Sequence, residues 1–303
     1  MSKRMVSELV RDCFGVEVSP GAVCEVEKRM SQALAVPWNE ALEFNRRQPT
    51  IHADETGWRE AKKKAWLWVV ASTQVAVFQI QRSRGAKVIQ ALLTLDFEGI
   101  VVADRWSAYG YLPIFQRQLC WAHLIRHFVG FEDYGRAAKA LGRSLQEQAG
   151  RMFNLWHRVR DGTLRRSTFR RRLRSISRKI LAGLEAGTRL PAKKVAAQCR
   201  EISALAEALF TFACLEGVEP TNNHGERCLR PAVIWRKCCF GTDSEAGSRF
   251  VERVATAVTT LRLQRRNALD FLVAASEAHL RGTTPPSLLP IDLHDERTLA
   301  PAR

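Results

Sequence analysis

Three acidic residues stand in settings that suit metal-dependent chemistry. Asp54 in IHADETGW and Asp104 in IVVADRWSAY each follow a short apolar run that predicts a strand, and Glu226 in TNNHGERCLRP lies early in a predicted helix. Carboxylates at the ends of separate elements can converge, and converging carboxylates bind hard divalent cations. Two cations held about 3.5–4 Å apart serve an in-line displacement at a phosphodiester. We therefore predict these three residues as catalytic and metal-binding, with two Mg²⁺ or Mn²⁺ ions as cofactor.

Each of these acids also has a purely structural interpretation. Asp54 could cap a turn before Gly57, and Asp104 could cap the WSAY segment. Asn223 and Glu226 together resemble a capping box. Their joint occurrence, in the order strand, strand, helix within a basic chain, favours the metal site.

A second metal hypothesis concerns zinc. Cys120, His123 and His127 form a CxxHxxxH pattern in which the two histidines share one helical face. A closed zinc site needs four ligands, and no further ligand pair stands at fixed spacing nearby. The pattern therefore favours packing over zinc.

The charge balance points to a polyanionic partner. The chain of 303 residues has 47 Lys and Arg against 31 Asp and Glu, a net charge of +16. Such a balance favours nucleic acid or an anionic membrane surface. No apolar run approaches the roughly 20 residues that span a bilayer, and the N-terminus lacks a signal peptide. We therefore expect a cytoplasmic protein with DNA as partner, no membrane contact, and reduced cysteines.

One segment concentrates this charge. Residues 158–179 contain ten basic side chains and one acid, Asp161, around a helical apolar stripe. Such a run is often only a solvated face, but like charges at helical spacing repel unless an anion relieves them. With the basic residues around the acid at 226, this segment supplies our predicted DNA contacts: Arg165, Arg166, Arg170, Arg171, Arg172, Arg174, Arg227, Arg230, Arg236 and Lys237.

The periodicity predicts helices at both ends of the chain. Residues 1–48 are expected to be helical, with a helix near 5–13, a second opening at Ser19-Pro20 and a third over Trp38–Phe44. The first two could form a helix-turn-helix or an ordinary helical hairpin. Helices are also expected over 251–263 and 267–280, after a turn-rich segment at 236–250 and before a flexible tail.

The middle of the chain predicts a mixed α/β structure. Strands are expected at 50–54, 65–73, 75–82, 99–103 and 117–120, with helices at 86–93 and after 120. From about 130 to 215 the strand signals disappear, which indicates an all-helical segment.

Four segments carry a family resemblance. HADET at 52–56, DRWSAY at 104–109, RQLCWAHLIRHF at 117–128 and TNNHGERCLRP at 221–231 occur in this order. Together they resemble transposases of the insertion-sequence-66 family, within the DDE superfamily. The resemblance implies a ribonuclease-H-like mixed sheet flanked by helices and interrupted by an all-helical insertion. It also implies Asp54, Asp104 and Glu226 as the metal-binding triad.

The resemblance gives an expected organisation. A helical N-terminal region (1–48) precedes the first part of the catalytic core (49–129), a basic helical insertion (130–215), the second part of the core (216–280) and a tail (281–303). The implied activity is metal-dependent cleavage and strand transfer on transposon ends and target DNA, by a homo-oligomer. Two alternatives to this activity stay open, the first of them because family members extend further upstream. One is a truncated, non-catalytic DNA-binding remnant, and the other is a ribonuclease-H-like nuclease without strand transfer.

Overall fold

The computed structural model describes residues 2–290 and divides into two compact units. The first unit comprises the described residues up to Phe97 and again from His224, and the second comprises Glu98–Asn223. Both units contain strands and helices, so the described chain is a mixed α/β protein. None of the helices in the described part is long and apolar enough to cross a membrane.

Three helices open the first unit: α1 (Lys3–Phe14), α2 (Pro20–Ala33) and α3 (Ala35–Arg46). The Ser19 hydroxyl accepts the Ala22 N–H at 3.1 Å, which confirms the predicted Ser-Pro start of α2. The Trp38 indole of α3 donates to the Phe78 carbonyl at 3.1 Å. The N-terminal region is therefore helical, as expected, and α3 is fixed to the sheet.

The sheet of the first unit is an antiparallel meander of β1 (Thr50–Glu60), β2 (Lys63–Ala71) and β3 (Ala76–Gln81). The first strand is longer than predicted, because residues 55–60 pair in register with 68–63. Asp54 therefore lies in the middle of β1, opposite Val69, and the expectation that it ends a strand or caps a turn is wrong. Gly57 favours a turn, but its pairing with Trp66 of β2 keeps it in the strand.

One face of this sheet is covered by α10 (Asn223–Cys239) and α11 (Glu245–Leu263), and α4 (Ala86–Leu93) and α12 (Ala268–Arg281) complete the unit. The expected turn-rich segment at 236–250 was wrong, since it consists mainly of the end of α10 and the start of α11. The core between the sheet and the two helices contains Trp58, Leu67, Val69, Phe78, Ile80, Cys228, Leu229, Ala232 and Val251.

Helix α11 also covers the outer edge of β3. Side chains at every fourth position of the helix accept the N–H groups of alternate strand residues. Thr260 accepts from Ala76, Thr256 from Phe78 and Glu252 from Ile80, at 3.1, 3.0 and 2.5 Å. This satisfies backbone donors that an uncovered edge strand would leave open.

The second unit contains a parallel pair, β4 (Ile100–Ala103) and β5 (Arg117–Leu119), and a helical array. An aromatic trio of Trp156, Phe169 and Phe212 lies in its core, with ring centroids 5.0–5.9 Å apart. The helices are α5 (Trp121–Gly130), α6 (Arg136–Arg160), α7 (Arg166–Gly187), α8 (Lys193–Ser203) and α9 (Thr211–Cys214). The absence of strands from 130 to 215 is confirmed.

The C-terminal segment packs more than predicted. Leu288 is buried, and its carbonyl accepts from the Gln264 side chain at 2.8 Å. Arg266 donates to the carbonyls of Ser287 and Leu289. The expected flexible tail is therefore wrong up to residue 290, and residues 291–303 lie outside the described part.

Candidate functional site

Asp54 faces the layer formed by α10 and α11. Successive strand residues alternate between the two faces of a sheet, so Asp54 shares its face with Trp58, which packs against the two helices. Its partner across the β1–β2 ladder, Val69, belongs to the same core. The carboxylate of Asp54 is therefore directed to the side of the sheet that carries Glu226.

Two contacts hold helix α10 alongside strand β1. The His224 and His52 rings lie 5.1 Å apart between centroids, near the start of the helix. At its other end, Arg236 donates to the Gly57 carbonyl and to the Thr56 hydroxyl. Asp54 lies on the strand between these two contacts.

Glu226 lies in the first turn of α10, two residues after His224. The helix macrodipole stabilises a carboxylate at this end. Glu226 is about 3 Å further along the helix axis than His224, and Asp54 is about 7 Å along the strand from His52. The contact between the two histidines therefore brings both acids to one region of the first unit.

Glu55, the other acid of the HADET segment, lies on the opposite sheet face. Its buried carboxylate pairs with Arg84, with Nη2 and Oε1 2.7 Å apart. The Arg84 guanidinium in turn lies over the Trp66 ring. Glu55 therefore has an ion-pair partner on the face opposite Asp54.

Asp104 belongs to the second unit and directly follows β4, as predicted. One carboxylate oxygen accepts the Trp106 N–H at 2.8 Å, so Asp104 closes a short turn. Asp104 also acts on two neighbouring basic groups. Its charge raises the pKa values of Arg117 and His127, against a larger lowering by burial in both cases. The surroundings of Asp104 are thus electropositive.

The ligand atoms of Cys120 and His123 lie within 4.8 Å of each other, so these two could share a metal ion, but the surroundings of His127 disfavour zinc. The Cys120 sulfur accepts the Asn222 N–H at 3.1 Å. The Arg105 guanidinium lies 3.4 Å from His127 Nε2, and burial, Arg105 and His123 lower the pKa of His127. A fixed cation beside a ring nitrogen opposes binding of a second cation there. His127 is therefore an unsuitable zinc ligand.

The turn after α10 is clamped to the end of β1. Thr242 donates its N–H to the Arg59 carbonyl at 2.9 Å, and its own carbonyl accepts from Ala61 at 2.8 Å. Gly241 has φ +116°, and a Cβ there would lie 2.2 Å from the Arg59 oxygen. Only glycine fits this close backbone approach. The segment that precedes residues 244–247 (SEAG) thus fixes the end of α10.

The predicted basic contacts divide into exposed and engaged residues. Arg166 donates to the carbonyls of Phe212 and Leu215 and lies over the Trp156 ring, so it serves the fold of the second unit. Arg236 is likewise bound to β1. Both guanidinium groups are thus engaged within their own units, and their assignment to DNA stays a prediction. The remaining predicted residues are exposed: Arg165, Arg170, Arg171, Arg172, Arg174, Arg227, Arg230 and Lys237.

Three arginines form a row on the outward side of α7. Arg171, Arg174 and Arg178, here called the α7 outer row, are spaced three and four residues apart, opposite the buried Phe169 and Ile180. The described residues contain no ion pair with any of them. By contrast, three other exposed arginines of this unit are ion-paired: Arg143 with Glu132 at 3.2 Å, Arg151 with Glu147 at 2.7 Å and Arg189 with Glu185 at 2.7 Å.

The donor set fits a hard divalent cation better than a soft one. Asp54 and Glu226 offer carboxylate oxygens, which Mg²⁺ and Mn²⁺ prefer. Asp104 keeps one oxygen that the Trp106 turn does not use. His224 lies in the TNNHGERCLRP motif without a role predicted from the sequence. His52 was missed, although the alternation of β1 places it on the same face as Asp54.

Comparisons with known proteins identify the family. The sequence model described as "Transposase IS66 family" matches residues 3–249, well over half of the chain. The protein therefore belongs to the IS66 family of transposases, which confirms the resemblance found in its motifs.

A curated relative extends this comparison. The chain is 27% identical over 290 residues to an uncharacterized protein, y4qI, from Sinorhizobium fredii strain NBRC 101917 / NGR234. The match covers 85% of this chain and 53% of the relative. The chain thus spans about half the length of this relative.

Proposed function

We propose that the protein is a DDE-type transposase that cleaves DNA and transfers strands at transposon ends, with Asp54, Asp104 and Glu226 as its metal-binding triad. The observation that carries the proposal is the β1–α10 arrangement. Asp54 faces α10, and the His52–His224 contact places the first turn of that helix, with Glu226, beside the same strand. Membership of the transposase family supports a role for these acids in DNA transposition.

In this proposal, the main task of the three acids is to hold the metal ions in position. Bound Mg²⁺ or Mn²⁺, two ions in our proposal, activates the attacking oxygen and neutralises the leaving oxygen of a phosphodiester. The chain supplies short aspartates on strand-based positions, which hold an oxygen rigidly, and a longer glutamate from a helix. Glu226 lies in the first turn of α10, where the helix dipole favours a carboxylate ligand. Asp54 lies within the β1–β2 ladder, in which the residues before and after it are also paired, so its backbone is fixed.

A ribonuclease-H-like core is the fold that we propose for this site. Support comes from the antiparallel meander β1–β3 followed by α4 and, in the second unit, by the parallel pair β4–β5 and α5. In this proposal, the helices from α6 to α9 form the insertion between β5 and the glutamate-bearing helix. The long stretch without strands from 130 to 215 agrees with that assignment.

The basic surfaces suggest how DNA is held. The α7 outer row extends over about 10 Å of helix axis with no acidic side chain paired to it in the described part of the chain. Duplex DNA presents dense phosphate charge that would relieve the repulsion within such a row. On α10, Arg227, Arg230 and Lys237 are exposed on the helix that carries Glu226. We propose that both surfaces contact the DNA backbone.

Strand transfer of pre-cleaved transposon ends separates the proposal from its alternatives. An IS66 transposase joins these ends to a target when Mg²⁺ or Mn²⁺ is present, and Ca²⁺ inhibits because its coordination is larger and looser. A nuclease without strand transfer cleaves but does not join. A non-catalytic remnant binds DNA and does neither. The end sequences are taken from the DNA that flanks the gene of origin.

Two further properties complete the proposal. Synapsis of two transposon ends requires more than one active site, so we propose a homo-oligomer on DNA. The reaction takes place on bacterial DNA, so we propose that the protein acts in the cytoplasm, at the nucleoid. The size distribution of the protein with and without end DNA, measured by analytical ultracentrifugation, tests the first point.

A further inference from the structure

We infer that His224 is a positioning residue that sets the place of Glu226 relative to Asp54. The inference deepens the proposed function and rests on it. His224 is the second residue of α10, and it contacts both the strand that carries Asp54 and the turn between β2 and β3. Three observations carry the argument: its hydrogen bond, its ring contact and the division of its helix by a proline.

The hydrogen bond joins the start of α10 to a fixed point in the sheet. His224 Nε2 lies 2.7 Å from the Ser72 carbonyl oxygen. Because a carbonyl oxygen only accepts, Nε2 carries the proton and donates it. Ser72 and Val75 are buried and close a turn, in which the Ser72 N–H donates to the Val75 carbonyl and the Ser72 hydroxyl accepts the Val75 N–H. Asn45 donates to that same Val75 carbonyl. The anchor for His224 is therefore rigid.

The ring contact joins the same side chain to the strand of Asp54. The His224 ring packs on His52 at 5.1 Å, with the ring planes tilted by 57°. His52 is buried, and it lies on β1 opposite Ala71, next to the Ser72 turn. His224 thus touches β1 and the β2–β3 turn together. Its side chain is the link between the strand of Asp54 and the first turn that holds Glu226.

Pro231 makes this anchor necessary. A proline inside a helix has no N–H to donate to the carbonyl four residues earlier, here Arg227, and it weakens the helix at that point. Arg236 fixes the C-terminal half of α10 to Thr56 and Gly57. The N-terminal half, which precedes the proline, packs on the sheet through Cys228 and Leu229. His224 adds a hydrogen-bonded attachment two residues from Glu226.

The donor nitrogen and the ring make separable contributions. Glutamine at position 224 places an amide N–H near the position of Nε2, so H224Q keeps a donor for Ser72 while H224A removes it. Thr256→Val is the matched control. It removes an acceptor from the buried Phe78 N–H, so it destabilises the same unit away from α10.

The first measurement uses the metal-free protein. Hydrogen exchange of peptides from 223–230 should become about five- to tenfold faster in H224A, as expected for one lost hydrogen bond. H224Q should restore most of the protection. T256V should leave this segment unchanged while exposing β3. Unchanged exchange in H224A would overturn the anchor whatever the enzymatic activity is.

The second measurement uses the full reaction. The Mn²⁺ concentration for half-maximal strand transfer should rise about fivefold or more in H224A, with H224Q close to the wild type. T256V at the same fraction folded should keep the wild-type metal requirement. An equal rise in T256V would make His224 merely structural and overturn the inference. A wild-type protein with no metal-dependent activity would instead contradict the proposed function, while the exchange result would still decide the role of the anchor.

Discussion

Glu252 offers a quantitative test of how α11 covers the edge of β3. Its side chain is only 2% exposed, one oxygen accepts the Ile80 N–H at 2.5 Å, and the other lies 3.1 Å from the Arg249 guanidinium. Burial raises the pKa of Glu252 from 4.5 to about 7, although Arg249 and the Ile80 hydrogen bond oppose the rise. Replacement by glutamine keeps an acceptor for Ile80 and removes the titration.

The sign of the effect follows from the direction of the pKa change. The folded protein holds the proton more tightly than the unfolded chain, so Glu252 contributes stability that is complete below pH 4.5 and is lost as the pH rises through about 7. The interval from 4.5 to about 7 corresponds to about 3 kcal/mol, at about 1.36 kcal/mol for each pH unit. Most of this, about 2–3 kcal/mol, should disappear between about pH 5 and pH 8.

Urea unfolding of the wild type and of E252Q at several pH values checks the prediction. The difference in unfolding free energy between the two proteins should change by about 2–3 kcal/mol over this range, with the wild type losing stability as the pH rises. Burial lowers the pKa values of His127 and His224, which gives the opposite trend, but both proteins share it. A difference that stays constant with pH would refute the buried, proton-binding role of Glu252.

Three further predictions concern DNA and the packing of each unit. Replacing the α7 outer row with glutamine should flatten the slope of log K against log salt for duplex DNA by roughly 2.7, at about 0.9 for each phosphate contact. The same change at the three ion-paired arginines of that unit should leave the slope unaltered, and equal slopes in both triple variants would move the DNA path elsewhere. Gly241→Ala should lower the unfolding free energy by about 2 kcal/mol or more, because its Cβ would meet the Arg59 carbonyl; wild-type stability in urea would refute this. Arg166→Met should cost about 2 kcal/mol through lost hydrogen bonds to carbonyls, and a wild-type melting temperature would contradict its structural role.

The sequence predicted most elements because their signals are local. The Ser19-Pro20 start of α2 and the end of β4 before Asp104 follow from side chains next to those boundaries. The length of β1 could not be predicted in this way. Its last six residues include Thr56 and Gly57, which favour a turn, and only their pairing with β2 keeps them extended. Tertiary contacts also explain the 236–250 segment, where the turn between α10 and α11 is bonded to the end of β1.

The candidate site was predictable in its acids but not in its supports. Asp54, Asp104 and Glu226 lie in distinctive motifs, so their residue types and spacing suggested the chemistry. His52 and His224 contact each other across 172 positions of sequence, and no spacing rule indicates such a contact. The bonds of Arg166 and Arg236 to backbone carbonyls inside their own units could not be predicted either, because charge alone does not reveal them.

The measurement that tests the account most directly is strand transfer by the three triad variants. Asp54→Asn, Asp104→Asn and Glu226→Gln each remove one charged ligand with little change in shape, so the fold should persist while metal positioning fails. The account predicts that each variant loses cleavage and strand transfer in Mg²⁺ and in Mn²⁺ but binds end DNA like the wild type. Near-wild-type strand transfer by any one of the three would remove that residue from the site and contradict the proposed triad.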